Sequence, residues 1–418
     1  MPTPASGRSG VPAQLLLALA LLSALGPLSV DTYLPAFTTM ADDLSTSASA
    51  IQLTLTAFLF GLAAGQLVIG PLSDRFGRRR PLLISIAVCT LASLGAALSQ
   101  TVEPLIAFRF IQGFAAASGL VIGRSVVTDV SSGRAAVRAF SILSAIGSFG
   151  QVVAPLLGGA LLPAIGWRGV LWVIAGAAAL MTIGVALLVG ETLDRDKRAT
   201  GGVGETLRTA RLHLGNRSYV AYMAISAFGF GAVLGYVAAS PFVLQNVFGL
   251  SSGAFSLAFA GNSVGLIFAS LINARLVNRL QPARILEVSQ LAMVVVALVL
   301  ALTVLTGVAT INTVLPMTFL LITAIGFTLS NAGALAMVSV PHGTGTAAAL
   351  LGATQFGFGA LVSPLVGLGG EDSATMMVAV ISGCALLGLA MIPVTRRHPV
   401  HVSDHAAAAE PAAGPVAH

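Results

Sequence analysis

The chain has 418 residues, of which 56% are hydrophobic and only 9% are charged, and its formal net charge is +6. A soluble domain of this length would carry about 25% charged residues, so the composition excludes an ordinary water-soluble domain and indicates a surface that faces lipid. The positive charge does not indicate nucleic-acid binding, because the basic residues are spread over short loops between apolar segments.

Apolar runs long enough to cross a membrane recur along the whole chain. A membrane helix needs about 20 mostly apolar residues. The first run is interpreted as a retained helix rather than a signal peptide, because eleven more follow it. The predicted spans are 13–36, 51–72, 81–99, 104–127, 138–162, 169–190, 219–245, 253–274, 284–307, 312–338, 346–368 and 374–394.

The positions of Lys and Arg predict how the chain is oriented in the membrane. If the N-terminus is inside, all 21 basic residues except Arg109, Arg124 and Arg168 lie in inner segments. Cytoplasmic loops carry such an excess, so we expect a multi-pass protein with both termini in the cytoplasm.

A long polar segment divides the chain into two halves of six predicted helices each. Shifting the sequence by 204 positions places Arg75 on Arg279 and Arg80 on Arg284, which indicates a weak internal repeat. Such symmetry is typical of secondary transporters, whose substrate site lies between the halves near mid-bilayer. We expect an all-α integral membrane protein with twelve transmembrane helices in two pseudo-symmetric six-helix bundles. The predicted segments are a cytoplasmic N-terminus (1–12), a first bundle (13–190), a cytoplasmic linker (191–218), a second bundle (219–394) and a disordered cytoplasmic tail (395–418).

Two ionisable residues, Asp31 and Arg109, lie well inside the predicted spans. The helix rise places both about 8–9 Å into the membrane from the same side, where they can interact. One interpretation is a fixed ion pair that locks two helices. The other is a carboxylate that gains and loses a proton, and the default role of buried ionisable groups in membrane helices favours it. Glu287 is a further candidate, although it lies close enough to a helix end to reach water.

The short segment from Gly70 to Leu83 is dense in charge and lies between two apolar runs. Asp74 and the arginines of this segment can exchange ion-pair partners as the helices move, which predicts a cytoplasmic gate. A loop that only sets topology is the alternative. Asp74 can also cap the eleventh predicted helix, which begins around 344–346. The predicted gate residues are Gly70, Asp74, Arg75, Gly77, Arg78, Arg79 and Asp129.

Small residues form stripes on three predicted helices and allow other helices to approach closely. The stripe on the fifth helix predicts either ordinary packing or a sliding interface between the halves. In the fifth helix the residues are Gly147, Gly150, Ala154, Gly158 and Gly159, beside Pro155. The eighth helix is expected to carry a matching stripe of Gly261, Gly265 and Ala269. In the second helix, Gly61 and Gly65 would suit a partner across the halves.

The sequence gives no sign of enzymatic chemistry. It has no Gly-x-x-x-x-Gly-Lys-Ser/Thr loop for ATP, and the predicted spans hold no cluster of His and Cys for a metal. A Ser-His-Asp hydrolase is not expected, since the histidines lie only in the central loop, at His342 and in the tail. Cys89 and Cys384 are interpreted as small core residues. We predict a protein that is not an enzyme and needs no cofactor or metal.

Several motifs resemble those of the Bcr/CflA drug-resistance group of the major facilitator superfamily, and together they cover nearly all of residues 15–394. They are Asp31-Thr32-Tyr33-Leu34-Pro35, Gln52-Leu53-Thr54-Leu55 through Gly65-Gln66-Leu67, the Gly70–Arg79 loop, Arg109-Phe110-Ile111-Gln112-Gly113, Arg124 to Asp129, Ser240-Pro241-Phe242-Val243-Leu244-Gln245, and Gly345-Thr346-Ala347 through Gln355-Phe356. The chain departs from the group at Ala154-Pro155, where Gly-Pro is usual, and at Ser23, in a helix where some relatives carry a second acidic residue.

The resemblance implies the major facilitator fold and a proton-coupled antiporter of the bacterial inner membrane. Such a protein acts as a monomer and expels chloramphenicol, florfenicol, bicyclomycin or other lipophilic drugs by alternating access. It implies Asp31 as the main proton carrier, Arg109 as its coupling partner, and an antiporter motif at Gly147, Pro155, Gly158 and Gly159. The missing second acid argues against dicationic drugs.

Aromatic and amide side chains suit a promiscuous apolar pocket between the halves. The candidates for its wall are Tyr33, Phe58, Gln112, Tyr236, Phe242, Asn331 and Gln355. Two other functions stay open at this point: export of one endogenous metabolite or natural product, and a non-transporting membrane scaffold or sensor.

Overall fold

The computed structural model describes residues 12–198, 203–340, 343–370 and 373–397, and these segments are helical almost throughout. The helices are α1 Ala13–Asp31, α2 Phe37–Asp43, α3 Ala48–Phe76, α4 Arg79–Leu98, α5 Val102–Val130, α6 Gly133–Leu188, α7 Val203–Gly215, α8 Arg217–Phe242, α9 Ser252–Leu276, α10 Pro282–Leu305, α11 Ile311–Val338, α12 Thr344–Gly367 and α13 Thr375–Arg397. The predicted N-terminal segment and tail lie almost wholly outside the described residues.

Twelve membrane-crossing segments are present, as the sequence predicts. In the described ranges, eleven helical stretches are long and apolar enough to cross a membrane, and the longest of them, within α6, is really two spans. The backbone of α6 breaks at Gly166, with φ 66° and ψ 177°, a conformation that glycine adopts without steric cost. The two arms of α6 correspond to the predicted spans 138–162 and 169–190.

The first predicted span is not one continuous α-helix, although its helical stretch runs from Ala13 to Asp43. The apolar run predicts a continuous span to residue 36, whereas α1 ends at Asp31 and a 3₁₀ turn at Leu34–Ala36 leads into α2. Pro35 has no N–H to donate to the carbonyl of Asp31, and at this point the backbone forms the 3₁₀ turn before α2 begins. Asp31 therefore lies at the end of α1 rather than inside a helix, yet it is only 8% exposed.

The glycines of α3 pack within the first half (α1–α6), not across to the second half (α8–α13). A Cβ on Gly61 would lie 2.2 Å from the Phe110 carbonyl oxygen, and one on Gly65 would lie 2.3 Å from that of Phe114, both on α5. The expectation that these glycines face a partner across the halves is wrong, because α5 occupies that side of α3.

Two glutamines of α3 make the contact with α12 of the second half. The Oε1 atom of Gln52 lies 2.3 Å from where a Cβ of Gly367 would be, and that of Gln66 lies 2.1 Å from the corresponding point at Gly352. Only glycine at these two positions lets the helices approach so closely.

Hydrogen bonds join the halves at one end of the molecule. In the described ranges there are two: Gln52 Nε2 donates to the Ala238 carbonyl (3.0 Å) and Gln245 Nε2 donates to the Pro35 carbonyl (3.3 Å). The Phe37 and Phe242 rings meet there at 6.2 Å. We call this the closed end, and the opposite end, where α3 turns into α4 through Gly77 and Arg78, the basic end.

The glycine stripe of α6 faces α1 of its own half. A Cβ on Gly158 would lie 1.9 Å from the Thr32 carbonyl oxygen. The expected matching stripe on α9 is wrong, because Gly265 faces Thr323 of α11 instead. The contact between α6 and α9 is made at the closed end by Gly159, where a Cβ would lie 2.2 Å from Ser256 Oγ.

Candidate functional site

Arg109 of α5 is fully buried in the first half, with 0% of its surface exposed. Its two terminal nitrogens donate to Gln112 Oε1 (2.6 Å) and to the Ser29 carbonyl of α1 (2.8 Å). The guanidinium carbon lies 4.2 Å from the centre of the Tyr33 ring and 4.6 Å from that of Phe58. Desolvated cation–π contacts of this kind are worth about 2 kcal/mol. We call these four neighbours the Arg109 cage.

Polar residues of two further helices hold the Arg109 cage in place. Gln112 Nε2 donates to Ser93 Oγ of α4 at 2.7 Å, and the Tyr33 hydroxyl lies 3.1 Å from Thr54 Oγ1 of α3. Sequence reasoning missed Ser93 and Thr54. Each is one of several hydroxyl residues within an apolar helix, and such residues are too common to single out a site.

The Arg109 cage contains no acidic residue. Asp31 lies two residues after Ser29 on the same helix, but in the described ranges its carboxylate makes no hydrogen bond or ion pair, and no ion pair with Arg109 is formed. Arg109 Nε, Ser29 Oγ and Thr32 Oγ1 are also buried without a partner. A buried polar group left without a hydrogen bond costs about 1–3 kcal/mol, so these three atoms are available for further hydrogen bonds.

The structure brings three of the predicted gate residues together around Arg78, which is buried at the basic end. Its Nε donates to Asp129 Oδ2 at 2.9 Å, and its NH1 donates to Ser73 Oγ at 2.9 Å and to Asp74. Burial alone would lower the pKa of Arg78, but the hydrogen bonds to Asp129 and Asp74 raise it, so the group stays charged.

The other predicted gate residues do not join this cluster. Arg75 lies over the Phe76 ring, and Arg79 donates to the Ala186 carbonyl at 3.1 Å. Gly70 packs near Val121 of α5. The expected capping of the eleventh span by Asp74 is not made, because the N-cap of α12 is Gly343 and no side chain caps this helix.

Glu191, just after α6, fixes the loop that carries Arg78, and sequence reasoning missed it. Its Oε1 accepts hydrogen bonds from the backbone N–H groups of Arg78 (2.8 Å) and Leu193 (3.1 Å). The next residue, Thr192, donates to Asp129 Oδ2 at 3.1 Å. Gly77 turns the loop with φ 89°, and a Cβ there would lie 2.3 Å from Glu191 Oε2. The sequence signal that could have identified Glu191 was an acidic residue directly after an apolar span.

The hydrogen bonds that Glu191 accepts from this loop, which we call the Glu191 clamp, are expected to weaken at low pH. Burial would raise the pKa of Glu191, but N–H groups of Arg78, Leu193 and Arg79 and the charge of Arg198 lower it below 4.5. Because the folded-state pKa is depressed, the stabilisation is present above about pH 4.5 and is lost as the pH falls through the folded-state value. The melting temperature of Glu191→Gln should therefore fall less between about pH 6 and pH 3 than that of the wild type.

The matched control for that measurement is Asp196→Asn, an exposed carboxylate in the same linker. It should keep the pH dependence of the wild type. Equal slopes for the wild type and Glu191→Gln would contradict the clamp.

Glu287, the third predicted ionisable candidate, forms an ion pair at the basic end. Its two carboxylate oxygens accept from Arg396 Nε (2.7 Å) and NH2 (2.8 Å). Arg396 neutralises the Glu287 carboxylate through this bidentate pair, so the charge of Glu287 can be explained without a role in proton coupling.

The predicted cavity residues are packed rather than open in this structure. Tyr236 accepts from Asn262 (2.6 Å), Asn331 donates to Asn273 (2.7 Å) and Gln355 donates to Ser226 (2.6 Å). Tyr33, Phe58, Gln112, Tyr236, Phe242 and Asn331 are all buried, and Gln355 alone is half-buried. Helix packing covers these side chains in this arrangement, and their role in a substrate cavity stays a prediction.

Comparison with known families identifies the superfamily from most of the chain. The family model described as Major Facilitator Superfamily matches residues 19–364. The chain belongs to the major facilitator superfamily. Membership accounts for the twelve spans and the two halves, and it makes the protein a multi-pass membrane transporter rather than an enzyme.

Several bacterial members of the superfamily are similar in sequence over most of their length. An MFS-type transporter of Bacillus subtilis named YdgK is 39% identical, with 90% of this chain and 94% of the relative covered. A bicyclomycin resistance protein homolog of Haemophilus influenzae is 30% identical over the same shares. A chloramphenicol resistance protein of Pseudomonas aeruginosa is 32% identical, over 67% of this chain and 66% of the relative.

Solved structures of the superfamily share the fold. A bacterial homologue of the human lysosomal transporter Spinster, in an inward-facing and occupied conformation, has a TM-score of 0.73 at 17% identity and covers 93% of this chain and 97% of its own. A D-xylose–proton symporter has a TM-score of 0.72 at 17% identity and covers 92% and 98%.

Proposed function

We propose that this transporter is a proton-coupled antiporter that exports drugs from the bacterial cytoplasm by alternating access. The proposed substrates are chloramphenicol- and florfenicol-like, bicyclomycin-like or other lipophilic compounds, in line with the names of two relatives. The observation that carries the proposal is the pair of buried, oppositely charged groups, Asp31 and Arg109, neither of which has a charged partner in the described ranges.

Proton binding at Asp31 changes which partner Arg109 prefers. When Asp31 is ionised, its charge competes with the Ser29 carbonyl and Gln112 for the guanidinium, and Coulomb attraction is strong where water is excluded. When Asp31 is protonated, that attraction is lost and the arrangement around Ser29 seen here is favoured. Since Arg109 belongs to α5 and Asp31 ends α1, the proton shifts the population of helix arrangements.

The closed and basic ends supply the two gates of the transport cycle. With the basic end in the cytoplasm, as the basic loops predict, the present arrangement is closed toward the outside. Separation of Gln52 from Ala238 and of Gln245 from Pro35 opens the closed end. That motion uncovers Phe242 and its neighbours as walls for substrate, and the Arg78 cluster then secures the other side.

The test is drug-evoked proton movement in proteoliposomes that contain the purified protein and a pH-sensitive dye. The panel includes florfenicol, bicyclomycin and a lipophilic cation, with protein-free liposomes and a protonophore as controls. We expect a proton signal on addition of at least one drug, which the protonophore abolishes. A response to one endogenous metabolite alone would favour a dedicated exporter. Silence across the panel from folded protein would contradict proton-coupled drug export.

A further inference from the structure

A cavity of about 610 Å³ opens at the basic end, outside the Arg109 cage and beside the Arg78 cluster. One wall comes from the α3–α4 turn, with Phe76 and Leu83, and the other from the segment after α6. Four arginines line it against two acids, Glu191 and Asp194, so its charge is positive. The arginines are Arg79, Arg80, Arg195 and Arg198.

Two of these arginines have no acidic partner among the residues that the structure describes. Arg80 and Arg195 are exposed, and in the described ranges neither makes a hydrogen bond or an ion pair. The Arg79 guanidinium donates to a neutral carbonyl, that of Ala186. Glu191 already accepts three backbone N–H groups, and Arg198 approaches it no closer than 3.7 Å. The cavity therefore carries positive charge, on Arg80 and Arg195, that the described acidic residues do not neutralise.

The cavity also borders the surface that faces the acyl chains of the membrane. Ile84, one helical turn after Arg80, is 65% exposed, and Leu187, next to Ala186, is 78% exposed. Phe76 at the cavity wall is half exposed. In a membrane-spanning chain such apolar side chains contact lipid, so the arginines lie where that surface meets water.

We propose that this cavity binds the headgroup phosphate of an anionic phospholipid. Arg80 and Arg195 hold the phosphate oxygens through charge-assisted hydrogen bonds, for which the guanidinium fork is well suited. Arg79 and Arg198 add charge at its rim, and the acyl chains lie along Ile84 and Leu187. Basic pockets at the membrane ends of helices bind anionic headgroups by this chemistry.

The test measures binding of phosphatidylglycerol and phosphatidylcholine to the purified full-length protein by native mass spectrometry. The variant is Arg80→Gln with Arg195→Gln. The matched control is Arg275→Gln with Arg279→Gln, two exposed arginines at the end of α9, outside the cavity. We expect the wild type to bind phosphatidylglycerol in preference to phosphatidylcholine. The affinity for phosphatidylglycerol should be roughly thirty-fold weaker in the variant and unchanged in the control.

Two results would overturn the proposal. Equal loss in the variant and the control would mean that the lipid senses only overall charge. Displacement of the lipid from the wild type by millimolar inorganic phosphate would assign the cavity to a free phosphate ion instead. Neither readout depends on transport, so failure of this proposal and failure of proton-coupled export are distinguishable.

Discussion

Replacement of Asp31 by Asn is expected to abolish drug-evoked proton movement in proteoliposomes while the protein stays folded. Asparagine has nearly the same shape as a protonated aspartic acid but cannot release a proton. Since Asp31 is the one acidic residue that is buried in the described ranges, no other carboxylate there can replace it. The drug-evoked signal should fall to the level of protein-free liposomes.

A second measurement on the same variant follows the exchange of drug across the membrane. The Asp31→Asn substitution would fix the site in its neutral state, so exchange of labelled drug for unlabelled drug should survive while proton-driven accumulation is lost. Glu287→Gln is the matched control, because Glu287 lies in a membrane helix yet is paired with Arg396 at the basic end. Intact proton movement in Asp31→Asn, or an equal loss in Glu287→Gln, would remove Asp31 from the mechanism.

Gly159→Val is expected to hold the closed end open. A Cβ at Gly159 would lie 2.2 Å from Ser256 Oγ and 3.1 Å from the Ser252 carbonyl oxygen, so the two extra methyl groups of valine have no space between α6 and α9. Overpacking of this kind costs about 1–3 kcal/mol, and here only the closed arrangement suffers it. The ratio of open to closed molecules should rise roughly five- to 150-fold.

Spin labels at Asp42→Cys and Asn246→Cys report this change, because both positions are exposed at the closed end on opposite halves. The natural cysteines, Cys89 and Cys384, are free and buried and add little background. The long-distance population should become dominant in Gly159→Val. Gly261→Val is the control, since nothing lies within 4 Å of a Cβ there. Unchanged distances in Gly159→Val would contradict a gate at this contact.

The spans and the two buried charges could be predicted from the sequence because each depends on local properties. A run of apolar residues has to be a helix in a bilayer, and a charge within such a run is conspicuous at Asp31 and Arg109. The early end of α1 could have been predicted as well, since Pro35 removes one backbone donor.

The helix pairings could not be predicted, because a small residue shows that something approaches closely but not what. Gly61 suits α5 as well as it suits a partner across the halves, and only the assembled bundle decides. Gln52 and Gln66 belong to a motif that resembles the drug-resistance group, but only the assembled bundle shows that they contact α12 at Gly367 and Gly352. Glu191 acts through backbone N–H groups, which leave no trace in the sequence.

The candidate cavity shows a different limit of sequence reasoning. Aromatic and amide residues such as Phe242 and Gln355 could be selected by chemistry. Whether they face open space depends on which end of the molecule is closed, and one sequence encodes both arrangements. The exposure of these side chains is therefore a property of the conformation rather than of the residues.

The burial of a single carboxylate has a consequence for the energy source of export. If Asp31 carries one proton inward for each uncharged drug molecule that leaves, every cycle moves one net positive charge into the cell. Transport of a phenicol would then be electrogenic, and a membrane potential of 100 mV would add about 2.3 kcal/mol to the driving force. A singly charged cation would leave by electroneutral exchange and would respond to the pH gradient alone.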